Sequence, residues 1–264
     1  MVTRNFRHFV AAAIGLLFLA LSFAPSQAAP FSPGDFLAYM QTEWGDDASP
    51  SAAASLITSS FNTVYASAGG TLQVGITSGP GFSLIFDNPN SVLAYLPSVG
   101  AIGVLNANYL EPTTTPSGSF GGEVVALRLN VDFSGANLLM HLPGVPFGNL
   151  VLGNFGVSLA GLDGLKVRDF LQIDETALGG GATSFSLNDL FIISEQLNGT
   201  FFNGIPSQWA QDHLALPAAT TTPVPEPPTW LLLLFGLGAL ALSPSRRHLA
   251  GLAGRVALRN RRRN

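Results

Sequence analysis

Gly122-Glu123-Val124-Val125-Ala126-Leu127-Arg128-Leu129-Asn130-Val131-Asp132-Phe133 is the stretch on which the fold turns. Val125, Leu127, Leu129, Val131 and Phe133 alternate with their neighbours at the period of a half-buried strand, while Ala126, Leu127 and Arg128 are good helix formers. The strict alternation favours a strand. Upstream, Leu72, Val74 and Ile76 alternate, as do Phe82, Leu84 and Phe86, with Ser78-Gly79-Pro80-Gly81 between the runs, which predicts a β-hairpin. Ser32-Pro33-Gly34-Asp35 combines a cap, a proline at the first helical position and an acid three residues after the cap, predicting a helix from Pro33 to about Glu43. Ser91 caps a short helix through Leu96, and Pro112 to Ser119 reads as a loop. Downstream, Val167, Phe170, Leu171 and Leu178 share a helical face that stops at Gly179-Gly180-Gly181. Ser186-Leu187-Asn188-Asp189 starts another helix with Leu190, Ile193, Leu197 and Phe201 on one side, and the glycine linker suggests that the two helices pack antiparallel. Strands and helices without regular βαβ alternation predict one compact α+β domain with a hairpin and several helices.

The chain of 264 residues has a mean hydropathy of +0.35 and only 11% charged residues, values that conceal three zones. Residues 29–225 hold three cations (Arg128, Lys166, Arg168) against fifteen acids, a balance of −12, whereas residues 1–28 carry +2 and residues 226–264 carry +6. An acidic centre argues against nucleic acid as a partner, because that affinity comes from clustered Lys and Arg. The absence of cysteine removes disulfides, thiolate metal sites and Cys nucleophiles.

At the N-terminus, Arg4 and Arg7 precede an apolar run from Phe9 to Phe23 and then Ser26-Gln27-Ala28, the pattern of a signal peptide over 1–28 cut by signal peptidase after Ala28. An exported acidic domain would then occupy 29–217. A Thr/Pro-rich linker (218–228) carries Pro225-Glu226-Pro227, an apolar helix follows over 229–242, and a basic tail closes the chain at 243–264. From Trp230 to Leu242 such a helix covers only about 20 Å, against about 30 Å of hydrocarbon. It needs its flanks: Trp230 suits the outer interface, and Arg246 and Arg247 suit the cytoplasmic side.

This order of Pro-Glu-Pro, short Leu/Gly-rich helix (Leu231 to Gly238) and arginines resembles the PEP-CTERM sorting signal of Gram-negative bacteria over residues 224–247. The resemblance implies recognition by exosortase, a membrane protein resembling a cysteine transpeptidase, processing near the tripeptide, passage through the inner membrane, and delivery to the cell surface or exterior in bacteria that make exopolysaccharide and biofilm. Family members usually stop soon after the arginines, whereas this chain runs on from His248 to Asn264. Leu249, Leu252 and Val256 with Arg255, Arg259 and Arg262 make that tail either a basic amphipathic helix or a disordered stretch. Leu127–Val131, Ala177–Gly181 and Leu197–Phe201 look like the body of other secreted proteins with such signals, without an activity attached.

The centre offers little catalytic patterning. His141 and His213 have no second histidine at metal-ligand spacing, Gly156-Val157-Ser158-Leu159-Ala160 lacks the last glycine of a nucleophile elbow, and no phosphate-binding loop or dinucleotide fingerprint occurs. Asp46-Asp47, Asp163, Asp169, Asp174-Glu175 and Asp189 supply carboxyls without diagnostic spacing for glycoside hydrolysis. No cofactor or metal is expected. Asn198-Gly199-Thr200 matches a glycosylation sequon that the bacterial signals make irrelevant. Trp44, Tyr39, Tyr95, Tyr109 and Trp209 are candidates for stacking on sugars, against the alternative of core packing. The sequence thus points to a non-enzymatic surface or matrix protein with an interaction or structural role toward exopolysaccharide. The alternatives are a secreted hydrolase of matrix polysaccharide and a permanently anchored inner-membrane protein with a periplasmic domain.

Overall fold

A computed structural model of the chain describes residues 31–45 and 51–218. At its centre stands a helix where the alternation predicts a strand: α4, Gly118–Gly135. The correction has a simple cause. Phe120, Val124, Val125, Ala126, Leu127, Leu129 and Phe133 are all fully buried, so the helix is apolar on nearly every side. A helix buried all round has no polar stripe to reveal its 3.6-residue period, and a chance alternation then dominates the pattern. The loop expected at 112–119 gives way at Gly118, where the helix opens. Its early glycines serve close packing: a β-carbon on Gly121 would lie 2.3 Å from the Tyr95 hydroxyl, and one on Gly122 would lie 2.0 Å from Gln41 Oε1.

The elements around α4 are, in chain order, α1 (Gln41–Trp44), α2 (Ala52–Val64), β1 (Leu72–Gly75), β2 (Ser83–Phe86), α3 (Pro89–Tyr95), β3 (Tyr109–Leu110), β4 (Val151–Leu152), α5 (Val167–Leu178), α6 (Leu187–Gly199), α7 (Gln208–His213) and β5 (Leu214–Ala215). The predicted hairpin is present, with β1 and β2 antiparallel and Leu72 opposite Phe86 and Val74 opposite Leu84. All four of those side chains are buried. β3 adds to β2 in parallel, giving the order β1-β2-β3, while β4 and β5 form a separate antiparallel pair. Helices with a few short strands make this an α+β domain.

The helix expected at 33–43 is mostly extended chain. Ser32 N–H donates to the Asp35 carboxylate at 2.8 Å, so the cap closes a turn, but Gly34 sits at φ +90° and the turn does not propagate. Phe36 and Ala38 are buried on alternate positions, and the backbone is bonded to distant partners: Leu37 N–H to Met140 O at 2.9 Å, and Tyr39 N–H to Asn130 Oδ1 at 2.9 Å. Those tertiary bonds outweigh a local propensity. The short helix through Tyr95 is capped by Asn88 rather than Ser91, whose N–H donates to Asn88 Oδ1 at 3.1 Å ahead of Pro89 in the first turn.

α5 and α6 form where periodicity places them, and Ser186 caps α6 through the Asp189 N–H at 3.1 Å. Their packing differs from expectation. Each lies chiefly against α4, and a buried hydrogen bond between Ser194 and Asp174 links the pair. Leu190, Ile193, Leu197 and Phe201 are buried as predicted. The signal peptide (1–28), the Asp46-Asp47 pair and the segment from 219 onward, with the expected sorting helix and basic tail, lie outside the described residues.

Truncating a side chain at the centre of α4 tests this arrangement. Leu127→Ala is expected to cost about 2–5 kcal/mol in urea unfolding, whereas Val157→Ala, at a 98% exposed position, is expected to stay within about 0.5 kcal/mol of the parent.

Candidate functional site

Two of the three cations of the acidic centre, Arg128 and Arg168, line one cleft of about 450 Å³. Its walls come from the end of α2 and Tyr65, from one face of α4 (Arg128, Val131, Asp132), from the turn around Gly148 and from the first turn of α5 (Arg168). The helical reading of 118–135 is what assembles it, because Arg128 and Asp132 are one turn apart. Arg128 Nε donates to Asp132 Oδ2 at 2.6 Å and its Nη1 donates to Glu175 Oε1 at 2.8 Å. Burial works against the charge of Arg128, but the two carboxylates more than offset it and the guanidinium stays charged. Burial raises the Glu175 pKa, and Arg128 pulls it partly back.

Beside this cluster the Tyr65 hydroxyl is buried next to the Asp132 carboxylate. Burial, and then the negative charge of Asp132, push its pKa well above the ordinary phenol range, so it is a neutral O–H donor. Arg168 is held differently from Arg128. Its Nε donates to Gly148 O at 3.2 Å and its Nη2 to Asn149 Oδ1, and among the described residues no carboxylate lies within ion-pair distance of it. Glycine at 148 makes room for Val131, whose Cγ1 a β-carbon there would approach to 2.9 Å. The cleft therefore presents the Arg168 guanidinium at its rim, with Tyr65 and the Arg128–Asp132 pair in its wall.

A polar seam runs through the interior behind it. Gln41 Nε2 donates to Glu123 Oε1 at 2.7 Å, Asn198 Nδ2 donates to Glu123 Oε2 at 2.7 Å, and Asn130 Nδ2 donates to Asn198 Oδ1 at 3.0 Å. Burial raises the Glu123 pKa, with Asn198 and then Gln41 opposing it. Deeper still, Asp174 is fully buried, and burial lifts its pKa well above the usual carboxylate range. The geometry agrees with a protonated acid. Ser194 has one hydroxyl proton and two neighbours, Leu190 O at 2.9 Å and Asp174 Oδ2, so a protonated Asp174 can donate to Ser194 while Ser194 donates to Leu190.

The residues singled out in the sequence are scattered. His141 bonds Leu142 O at 2.8 Å and Asn137 Oδ1 at 3.0 Å through its two ring nitrogens, and His213 bonds Gly153 O and stacks against Phe155 at 4.9 Å. Ser158 is exposed on a 3-10 turn. Asp163 accepts from Phe155 N–H, Asp169 closes the start of α5 through Lys166 N–H, and Asp189 caps α6 with Ser186. Asn198 of the sequon is buried in the polar seam. Trp44 and Tyr95 are core residues; Tyr39, Tyr109 and Trp209 are half-buried, and Trp209 packs beside His213 at 4.9 Å. Tyr65, Arg128, Arg168 and Gly148 were not among the candidates. The spacing of Arg128 and Asp132 was the available signal, but only under the helical reading. A second, shallower cleft of about 360 Å³ between α5 and residues 182–185 contains a single carboxyl, Asp169. Among the described residues no cluster of metal-ligating side chains forms and no helix is long and apolar enough to cross a membrane.

Residues 223–247, following this domain in the chain, match the family model of the PEP-CTERM protein-sorting motif. The chain is thus an exported protein of the class sorted by exosortase. In particular it is a PEP-CTERM protein, as its Pro-Glu-Pro, apolar run and arginines imply, and the matched stretch contains Pro225, Glu226, Pro227, Trp230, Arg246 and Arg247. No curated protein and no solved structure matches the chain.

The protonation of Asp174 gives a pH-dependent prediction. Its folded pKa lies above the unfolded value, so its contribution to stability is complete below the ordinary aspartate range and is lost as pH rises through the folded pKa. Asp174→Asn keeps the shape and a donor toward Ser194 but does not titrate. The stability of the variant relative to the parent is expected to grow steadily from pH 4 upward in urea unfolding; parallel pH profiles for the two proteins would contradict the protonated assignment.

Proposed function

We propose that the acidic domain over 29–217 is cargo: a non-enzymatic interaction or structural module delivered to the cell surface or extracellular matrix, in the setting of exopolysaccharide and biofilm. Signal peptidase cuts after Ala28 and starts export. Trp230 and the pair Arg246 and Arg247 then hold the helix over 229–242 across the inner membrane, with the basic tail over 243–264 on the cytoplasmic leaflet. Exosortase acts near Pro225-Glu226-Pro227, where proline removes backbone N–H groups and keeps the chain extended and readable. The membrane is a transit station, because a helix of about 20 Å spans about 30 Å of hydrocarbon poorly once its flanks are gone.

The observation that carries this reading is the sorting-motif match at 223–247. Two structural features support it. Gln211 of α7 ties down the start of the described domain, with Phe31 N–H donating to Gln211 Oε1 at 3.1 Å and Gln211 Nε2 donating to Phe31 O at 2.8 Å, so the domain holds its own first residues in place. The carboxyls that catalysis would need are also engaged structurally: Asp132 and Glu175 with Arg128, Glu123 with two amides, Asp174 with Ser194. That engagement favours binding over hydrolysis.

Replacing Pro225, Glu226 and Pro227 with alanine tests the route. In cells containing an exosortase, intact mass of protein from membrane, surface and medium fractions is expected to show a trimmed parent at the surface or in the medium. The alanine variant is expected as full-length protein in the membrane fraction. Identical masses and distribution for both would remove the proposed processing step.

A further inference from the structure

Two buried carboxyls hold α6 to its neighbours, and neither is paired with a cation. Ser194 and Asn198 stand one turn apart on the buried side of α6; Ser194 meets Asp174 of α5, and Asn198 meets Glu123 of α4. The two acids are seated differently. Glu123 receives two amide donors, Gln41 Nε2 and Asn198 Nδ2, each at 2.7 Å, which suits an ionised carboxylate. Asp174 has no uncommitted donor: its Oδ1 is buried without a partner, and the single hydroxyl proton of Ser194 is also in reach of Leu190 O at 2.9 Å. Burying an unpaired charge is costly, so this seat suits a neutral carboxylic acid.

The surroundings of Asp174 supply no counter-charge. Its neighbour on α5, Glu175, has the same sign. α4 carries one cation, Arg128, which is committed to Asp132 and Glu175, and its remaining acid is Glu123. β1 and the 147–149 turn also pack on α5 and contain no titratable residue, while α6 itself adds only the acids Asp189 and Glu195. An ionised Asp174 is therefore a second negative charge set against α6. The connection from α5 begins with Gly179-Gly180-Gly181, with Gly180 at φ +84°, which gives α6 backbone freedom on that side.

We propose that α6 is a pH-operated latch: with a proton on Asp174 the Asp174–Ser194 bond holds it against α5, and loss of that proton as pH rises opens α6 locally while α4 stays folded. The sign follows from burial, which raises the Asp174 pKa in the closed form. In the open form the carboxyl is solvated and titrates as an ordinary aspartate. The opening equilibrium therefore rises between the ordinary aspartate range and the raised folded pKa, by up to about tenfold per pH unit, and levels off above it. Opening uncovers the apolar side of the helix, Leu190, Ile193 and Leu197.

Hydrogen exchange of the full chain in an uncharged detergent is the test, read by mass spectrometry from pH 5 to pH 9 and corrected for the intrinsic pH dependence of amide exchange. Protection of peptides from 187–199 is expected to fall at least about tenfold between pH 5 and pH 8, while peptides from 118–135 stay within about threefold. Asp174→Asn, which cannot ionise, is expected to give a flat α6 profile. Ser194→Ala is expected to lower α6 protection at pH 5 and to keep the downward slope. Site-assigned 13C NMR of the aspartate carboxyls reads the proton on Asp174 in the parent, so the test stands even if a variant fails to fold. α6 and α4 losing protection in step, a flat α6 profile in the parent, the parent's slope retained by Asp174→Asn, or an Asp174 carboxyl already ionised at pH 5 overturns the latch. The sorting route is independent of it: none of these outcomes bears on export or trimming.

Discussion

Burying a helix on nearly all sides imposes one demand from which most of this structure follows: every polar side chain taken inside on α4 must find a partner in whatever packs against it. Asn130 meets the demand by treating the extended segment as a strand partner, accepting from Tyr39 N–H and donating to Tyr39 O. Glu123 takes Gln41 and Asn198, Arg128 takes Asp132 and Glu175, and Ser134 accepts from Phe147 N–H at 2.8 Å. Each bond fixes a different neighbour: residues 36–41, α6, α5, and the turn at 147–149. An apolar surface alone would allow these elements to slide. Directional bonds in a low-dielectric interior define one register, and an unmet one is costly.

The same interior shows how an acidic domain manages its carboxyls. Its acids are either near water, turned into acceptors at turns and helix starts as Asp35, Asp169 and Asp189 are, or taken inside with a specific answer. Glu123 is answered by amides, Glu175 by the guanidinium of Arg128, and Asp174 by the Ser194 hydroxyl together with a pKa that burial raises well above the usual carboxylate range. These answers are not equivalent. The ion pair persists at neutral pH, whereas the protonated acid is secure only on the acidic side of its raised pKa. Arg168 stands apart, since it is exposed and braces the turn at 147–149 through Gly148 O and Asn149 rather than answering a carboxylate.

Legibility in the sequence followed the asymmetry of each element. The hairpin, α5 and α6 each have a wet face and a dry one, so their periods show, and they form where Leu72 to Phe86, Val167 to Leu178 and Leu190 to Phe201 place them. α4 has no such asymmetry, and its side-chain order imitates a strand. That single inversion hid the i, i+4 relation of Arg128 to Asp132 and with it the cleft. The opening segment failed for the opposite reason: Ser32 to Asp35 form the local cap faithfully, but long-range bonds to Met140, Phe201 and Asn130 hold the following residues extended. Tyr65 and Gly148 carry no motif, because their roles exist only once α2, α4 and the 147–149 turn come together. The sorting signal was legible for the contrary reason, since linear order and composition are all it consists of.

That contrast bears on how one chain can serve two masters. The sorting motif consists of a tripeptide, an apolar run and arginines in linear order. The domain uses none of them. Every buried residue of the described core lies between Phe31 and Leu214, and the last paired strand, Leu214–Ala215 on Val151–Leu152, closes its end.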